Sequence, residues 1–177
     1  LTHALDETRL LDMRGVPSSG GVWAPALSYH EGLFYLCYTV VHQHEAATKD
    51  TPNFLTTAPS IEGPWSDPIH INSSGFDPSL FHAEDGRKYW LNMVWDHRPE
   101  RHPFHGIALQ ELDMKTGKLL GNSEIIFKGS NIQLTEGPHL YQRNGYYYLL
   151  TAEGGTEYDH AVSLARSRDL FGPYEVH

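Results

Sequence analysis

The segment Phe76–Leu91, FDPSLFHAEDGRKYWL, decides the fold because the chain carries two further copies of its pattern. The copies are Trp23–Leu36, WAPALSYHEGLFYL, and Glu136–Leu149, EGPHLYQRNGYYYL. In each copy a proline precedes a short apolar stretch, a turn with glycine follows, and an aromatic-rich stretch completes the unit. Glycine and asparagine accept the positive φ angles of tight turns, and aromatic residues favour strands. Each copy therefore predicts a β-hairpin.

The spacing of these hairpins predicts an all-β propeller. Their prolines, Pro25, Pro78 and Pro138, lie 53 and 60 residues apart. Ala58–Trp65 resembles Arg166–Tyr174 in the same phase, and we expect each to be a turn before the outer strand of a blade. A period of about 50–60 residues with four strands per unit is typical of propeller blades. Helical spacing of apolar residues is scarce. The alternative, a β-sandwich, does not require repeated hairpins.

The composition of the chain restricts its ligands. The 177 residues carry a formal net charge of −9, and 40% of them are hydrophobic, as in a folded domain. Nucleic acids and anionic membranes attract surfaces rich in Lys and Arg, so we expect neither as a partner. Neutral small molecules and neutral polymers remain. The sequence does not specify an oligomeric state.

Cys37 is the only cysteine, so the chain cannot form an internal disulfide. It lies within the apolar stretch Phe34–Tyr38, which predicts a buried and inert thiol in a strand. A single reduced cysteine fits a reducing compartment, and we expect a cytoplasmic location.

Three residues that break the repeat are candidates for function. Trp23, Asp77 and Glu136 stand beside the aligned prolines, and we expect them at comparable depth around one end of the propeller channel. An indole can stack on a sugar ring while carboxylates bind its hydroxyl groups. Hydrolysis of a glycosidic bond requires a general acid and a second carboxylate. Two structural alternatives stay open: Asp77 as the cap of the turn before Pro78, and Glu136 as a solvated loop residue.

Five segments resemble, in order, the motifs of glycoside hydrolase family 43. Each motif alone is weak evidence for the family, but the five in this order are specific, and the resemblance spans nearly the whole chain. The closest likeness is to the β-xylosidase branch, some of whose members also act as arabinofuranosidases. The segments are Gly21–Pro25, Gly75–Phe81, Trp95–Pro99, Thr135–Pro138 and Ala152–Thr156.

The resemblance implies a five-bladed β-propeller with an active site at one end of its channel, and an inverting mechanism with three carboxylates. It implies that Glu136 is the general acid, and that Asp77 tunes the pKa of that acid and orients the sugar. A nearby carboxylate disfavours ionisation of the acid, which must keep its proton near neutral pH. The implied substrate is a xylo-oligosaccharide or an arabinose-substituted substrate, and these residues do not separate xylose from arabinofuranose.

The family's general base lies in an Asp-Pro motif of its first blade, and nothing before Trp23 matches that motif. Asp6 and Asp12 are not followed by proline, so neither is assigned as the base. The last blade of the family, which supplies an arginine near the sugar, is not matched either. We therefore expect residues 1–177 to be a partial catalytic propeller domain of roughly three blades plus part of another. Residues 1–20 would be the tail of an earlier blade.

The resemblance also gives candidates for binding the sugar. Trp23 and Ala24, with Phe76 beside them, resemble the wall of the sugar subsite, and Thr156 resembles a channel residue. Trp95 and Arg98 could face the aglycone. We expect His160 to begin a strand, from which it could reach the channel. The histidines show no paired metal-ligand spacing, so no metal site is assigned. No cofactor is required; the family allows a calcium ion in the channel, although no oxygen-ligand loop is readable.

Two other functions compete with a glycosidase. A non-catalytic sugar-binding propeller is favoured by the unmatched base. The related five-bladed fructan hydrolases carry Arg-Asp-Pro and Glu-Cys motifs. Here Phe76 precedes Asp77 and Gly137 follows Glu136, which disfavours that group.

Overall fold

A computed structural model describes residues 3–177, which form twelve strands and no helix. No segment of this range is a helix long and apolar enough to cross a membrane. The strands form three antiparallel sheets, each with four strands in chain order. They are β1 (Gly21–His30), β2 (Leu33–Val41), β3 (Asn53–Ala58), β4 (Ile69–Asn72), β5 (Gly75–His82), β6 (Lys88–Trp95), β7 (Phe104–Asp113), β8 (Lys118–Phe127), β9 (Glu136–Arg143), β10 (Tyr146–Glu153), β11 (Ala161–Ser167) and β12 (Glu175–Val176).

Each sheet is one blade of a β-propeller, which confirms the predicted fold class. The proline-led segments form the inner strands β1, β5 and β9, and β5 contacts both of the others. The aromatic segments form the second strands β2, β6 and β10. Pro64 and Pro173 precede the outer strands β4 and β12, as the second repeat predicted. The inner strands therefore bring their first residues to one end of the channel.

A β-bulge interrupts each pair of inner and second strands near the aligned proline. The residue directly before the proline has a φ of 28° at Ala24, 54° at Asp77 and 57° at Gly137. Glycine and aspartate adopt positive φ more readily than most residues, whereas alanine does not. Because a bulge places an extra residue on one strand, it turns a side chain in a direction that regular pleating would not give it.

The alignment of the three inner strands corrects the expectation that the three candidate residues are equivalent. Trp23, Asp77 and Glu136 are not equivalent positions. Asp77 occupies the position of Gly137, directly before the proline, whereas Glu136 occupies the position of Trp23, one residue earlier. The two carboxyl groups therefore reach the channel end from different positions along their strands.

Two apolar clusters join neighbouring blades. The first blade meets the second through Cys37 and Leu55 packed with Trp90. The second blade meets the third through side chains such as Met93 and Leu149. Cys37 is 1% exposed and burial raises the pKa of its thiol, which confirms the predicted buried position.

The segment before β1 differs from the sequence-based expectation. Residues 3–20 contain no strand, so this range adds no strand of a further blade. Leu10 is buried against Leu36 and Tyr38 of the first sheet, and its carbonyl accepts a hydrogen bond of 3.2 Å from the Tyr38 hydroxyl. The segment therefore covers the outer face of the first blade.

Gly75, the first residue of β5, is expected to be intolerant of any side chain. A Cβ atom there would lie 1.7 Å from the carbonyl oxygen of Met93 on the neighbouring strand. Gly75→Ala should lower the free energy of unfolding by ~3 kcal/mol, because the backbones of β5 and β6 must move apart to admit the methyl group. Gly86→Ala is the control: its Cβ meets no atom within 4 Å, and its φ of 84° should cost only ~1 kcal/mol. Urea unfolding measures both, and equal losses would contradict the steric argument.

Candidate active site

Asp77 is a buried carboxyl group at the bulge of β5. It is 8% exposed, and its Oδ2 accepts a hydrogen bond of 3.1 Å from the backbone N–H of Gly137 on β9. Its own backbone N–H donates to Thr39 Oγ1 at 3.2 Å. The side chain is therefore held between the inner strand of the third blade and the second strand of the first.

A buried polar network supports this position. The Thr39 hydroxyl donates to Asn53 Oδ1 at 2.7 Å. The Asn53 amide in turn donates to Asn72 Oδ1 at 2.7 Å and to the Gly75 carbonyl at 3.0 Å. Buried amides with satisfied donors and acceptors hold a single geometry. The network fixes the backbone on which Asp77 adopts its positive φ.

Glu136, the first residue of β9, is half-buried and lines the same cavity as Asp77. The volume of this cavity, which we call the channel cavity, is about 640 Å³. The Ser79 hydroxyl donates to the carbonyl of Pro138 at 2.5 Å, which ties β5 to β9 directly behind the two carboxyl groups. Both side chains therefore open at one end of the channel, at or near the start of an inner strand.

Both carboxyl groups of the channel cavity have raised pKa values. Burial raises the pKa of Asp77 to about 7; the negative charge of Glu136 adds to the effect and the Gly137 N–H opposes it. Burial also raises the pKa of Glu136, and the positive charge of His160 opposes that shift. The charge of Glu136 contributes to the shift at Asp77, whereas the shift at Glu136 comes from burial alone, so before a ligand binds Glu136 ionises first and Asp77 holds the proton. Near neutral pH the pair retains a proton that an isolated carboxylate would have lost.

Aromatic side chains form one wall of the channel cavity. The ring of Phe76 lies 5.4 Å from that of Trp23 and 4.9 Å from that of Trp95, measured between centroids. Phe104 packs edge-on against Trp95 at 5.4 Å. The Trp95 indole N–H donates to Thr51 Oγ1 at 3.1 Å, which fixes the ring. A rigid aromatic wall in the same cavity as two carboxyl groups suits a ligand with one apolar face and several hydroxyl groups.

The structure brings most of the predicted site residues together. Ala24 and Thr156 line the channel cavity with Trp23, Phe76 and Trp95.

Two predicted residues do not line it. Arg98 instead forms an exposed pair with Asp96, with an Nε to Oδ1 distance of 2.8 Å. His160 is exposed, and its Nδ1 contacts the Gly155 carbonyl rather than the cavity.

Several cavity residues were not predicted from the sequence. His44 lies 4.9 Å from Trp23 between ring centroids, and Phe104 extends the aromatic wall. Leu134 and the exposed Glu157 complete the outer edge. Leu134 directly precedes the Thr135–Pro138 motif, and Glu157 directly follows Thr156, so proximity to the motifs could have identified both. His44 and Phe104 belong to no repeated segment.

The residues considered for a metal ion or for the base do not gather at the channel cavity. Among residues 3–177, no three His, Cys, Asp or Glu side chains are grouped closely enough to hold a metal ion between them. Asp6 and Asp12 are both outside the channel cavity. Arg14 binds Asp12 and lowers the pKa of that exposed carboxyl to about 2.

Known proteins share this fold and these motifs. The family model described as "Glycosyl hydrolases family 43" matches residues 1–177. Xylosidase/arabinosidase 43B of Humicola insolens is 61% identical over the whole chain, which spans 33% of that protein. A beta-xylosidase of Bacillus subtilis is 56% identical with the same coverage. The crystal structure of xylan beta-1,4-xylosidase from Bacillus halodurans has a TM-score of 0.98 at 60% identity; the match covers all of this chain and 34% of that one.

Propeller blades whose channel end combines paired carboxyl groups with an aromatic wall define a carbohydrate-active class of protein. Within that class, the chain belongs to glycosyl hydrolase family 43. It spans about a third of the length of the relatives that it matches.

Proposed function

We propose that the protein containing this chain is an exo-acting glycosidase that cleaves β-xylosides, α-L-arabinofuranosides or both, with inversion at the anomeric carbon. The observation that carries the proposal is a pair of carboxyl groups, the buried Asp77 and the half-buried Glu136, which share one cavity and have raised pKa values. A glycosidase needs such an acid because the departing sugar oxygen must take up a proton. In this proposal residues 1–177 are part of the catalytic domain.

Glu136 is proposed as the general acid. Its proton moves to the glycosidic oxygen as the bond from that oxygen to the anomeric carbon breaks. A water molecule attacks the same carbon from the opposite face of the ring and gives its proton to a base. Residues 3–177 are not assigned that base, because Asp6 and Asp12 lie away from the cavity and Glu157 is exposed at its edge.

Asp77 is proposed to tune the acid and to orient the sugar. Its contact with the Gly137 N–H places its carboxyl group beside the backbone that carries Glu136. In the proposed reacting complex Asp77 is ionised while it accepts a hydrogen bond from the sugar, and its negative charge then raises the pKa of Glu136 and keeps the acid protonated. The second oxygen of Asp77 makes no hydrogen bond to the described residues and is free to accept one from a sugar hydroxyl.

The names of the relatives support the substrate class. The Humicola protein is named for both xylosidase and arabinosidase activities, and the Bacillus subtilis protein for xylosidase activity. The aromatic wall of Trp23 and Phe76 suits an uncharged sugar ring, so a xylo-oligosaccharide or an arabinose-substituted chain is the proposed substrate.

The stereochemistry of the product tests the proposal. The intact protein should release the α-anomer of xylose first from an aryl β-xyloside, because water replaces the aglycone from the opposite face. NMR of the anomeric proton during the first minutes measures this. Initial release of the β-anomer would contradict inversion. Binding of xylo-oligosaccharides without any release, on either xyloside or arabinofuranoside, would favour a non-catalytic sugar-binding propeller.

A further inference from the structure

The loop that leads into Glu136 is strained. Gln133 and Leu134, neither of them glycine, have φ angles of 69° and 53°. This left-handed region costs most residues of the order of 1–3 kcal/mol each, and such strain persists only where other contacts enforce it. Leu134 lines the channel cavity and Thr135 directly precedes Glu136. The conformation of this strained backbone therefore sets the position of the Glu136 carboxyl group.

The contacts that enforce this conformation converge on one buried carboxyl group, Glu153. It is the last residue of β10 and is 0% exposed. Its Oε1 accepts hydrogen bonds from the Ser130 backbone N–H at 2.8 Å and from the Thr135 hydroxyl at 3.1 Å. The Ser130 hydroxyl donates to its Oε2. The next residue, Gly154, donates its N–H to the Gln133 carbonyl at 2.8 Å.

Gly129 leaves the space that the side chains of Thr135 and Glu153 occupy. A Cβ atom at Gly129 would lie 1.9 Å from Thr135 Oγ1 and 3.1 Å from Glu153 Oε1, so only glycine fits beside the two side chains. None of the ion pairs formed by residues 3–177 includes Glu153. Burying a carboxyl group without a cation is expensive unless donors satisfy it. All three hydrogen-bond donors to the Glu153 side chain come from the segment that leads into Glu136, so the burial of Glu153 depends on that segment.

We propose that Glu153 is a positioning residue for the reaction. By holding Ser130 and Thr135, Glu153 fixes the loop of residues 128–135. The fixed loop sets the placement of Glu136 and of the Leu134 side chain that lines the cavity. This inference rests on the proposed function and deepens it. Glu153 touches no substrate. Its effect reaches the reacting bond only through the backbone between Thr135 and Glu136, so it should act on proton delivery to the leaving group.

Two threonines allow a matched test in the intact protein. Thr135→Val removes one donor to Glu153 with almost no change in volume. Thr151→Val is the control, because Thr151 is also 2% exposed and its hydroxyl has no hydrogen-bond partner among residues 3–177. Thr135→Val should lower kcat about 10- to 100-fold on xylosides with poor leaving groups, since misplacing a catalytic group by about 1 Å has effects of this size. On aryl xylosides with good leaving groups the loss should be a few-fold at most, with KM unchanged within about two-fold.

Four further measurements complete the experiment. Thr151→Val should leave both substrate classes unchanged, and Thr135→Ser, which restores the hydroxyl, should recover most of the activity. Glu153→Gln should show the same dependence on the leaving group as Thr135→Val. Hydrogen exchange at the amides of residues 130–134 should be faster in Thr135→Val and Glu153→Gln, but not in Thr151→Val.

The outcomes separate the two proposals. Equal loss on both substrate classes, or unchanged exchange in the loop, would overturn the positioning role of Glu153 and leave the glycosidase proposal standing. If the unaltered protein released no sugar, the glycosidase proposal would fail. The positioning of the loop by Glu153 would then still be decided by the exchange measurement.

Discussion

Replacing Glu136 with glutamine in the intact protein should reduce kcat on glycosides with poor leaving groups by about 10²–10⁴-fold. The amide has nearly the shape of the acid but no proton to give to the departing oxygen. Aryl glycosides with acidic leaving groups need little protonation, so their loss should be at least ten times smaller. Steady-state rates over a series of aryl and alkyl β-xylosides measure the difference.

Glu157→Gln provides the control for this prediction. Glu157 lines the same cavity but is exposed, so its replacement tests whether any carboxyl group at this edge would serve. We expect its rates to stay within a few-fold of the unaltered protein across the series. A larger dependence on the leaving group in Glu157→Gln than in Glu136→Gln would assign the acid to Glu157 instead.

Replacing Asp77 with asparagine should shift the pH dependence toward acid. In the reacting complex, where Asp77 is proposed to be ionised, the change removes a like charge beside Glu136, so the pKa of Glu136 falls. The acid then loses its proton at lower pH, and the alkaline limb of the kcat/KM profile should move down by about one unit or more. At pH 7 the rate on poor leaving groups should fall by about 10- to 100-fold, as expected when much of the acid is ionised and the sugar is less well oriented.

Asp12→Asn is the matched control for Asp77→Asn. Asp12 is also a carboxyl group, but it is bound by Arg14 outside the channel cavity, so the profile should not move. An alkaline limb that stays in place in Asp77→Asn would contradict the tuning role. A shift toward alkaline pH would show that Asp77 carries the proton that matters in the reacting complex.

The fold could be predicted from the sequence wherever the signal was local. The hairpin turns at Glu31-Gly32 and Asn144-Gly145 depend on residues that accept positive φ, and both occur where expected. The segment of residues 3–20 had no such signal. The burial of Leu10 against the first sheet depends on a partner 28 residues away, Tyr38, and no periodicity reveals such a contact.

The site was only partly predictable, for two physical reasons. The prolines located the inner-strand starts, but a bulge turns the residues before them, and the sequence marks a bulge only where a glycine such as Gly137 accompanies it. Arg98 was expected to face the aglycone because it lies in Trp95–Pro99, a segment that resembles a family motif. A neighbour two residues away, Asp96, binds it instead.

The bulge that precedes each aligned proline has a consequence for how such a protein changes. Ala24, Asp77 and Gly137 share one kinked backbone while carrying a methyl group, a carboxyl group and a hydrogen atom. At the end of the channel, each of the three blades therefore has one position with the same backbone conformation and a different side chain. A substitution at such a position can change the chemistry of the channel end while the strand pairing of that blade stays as it is.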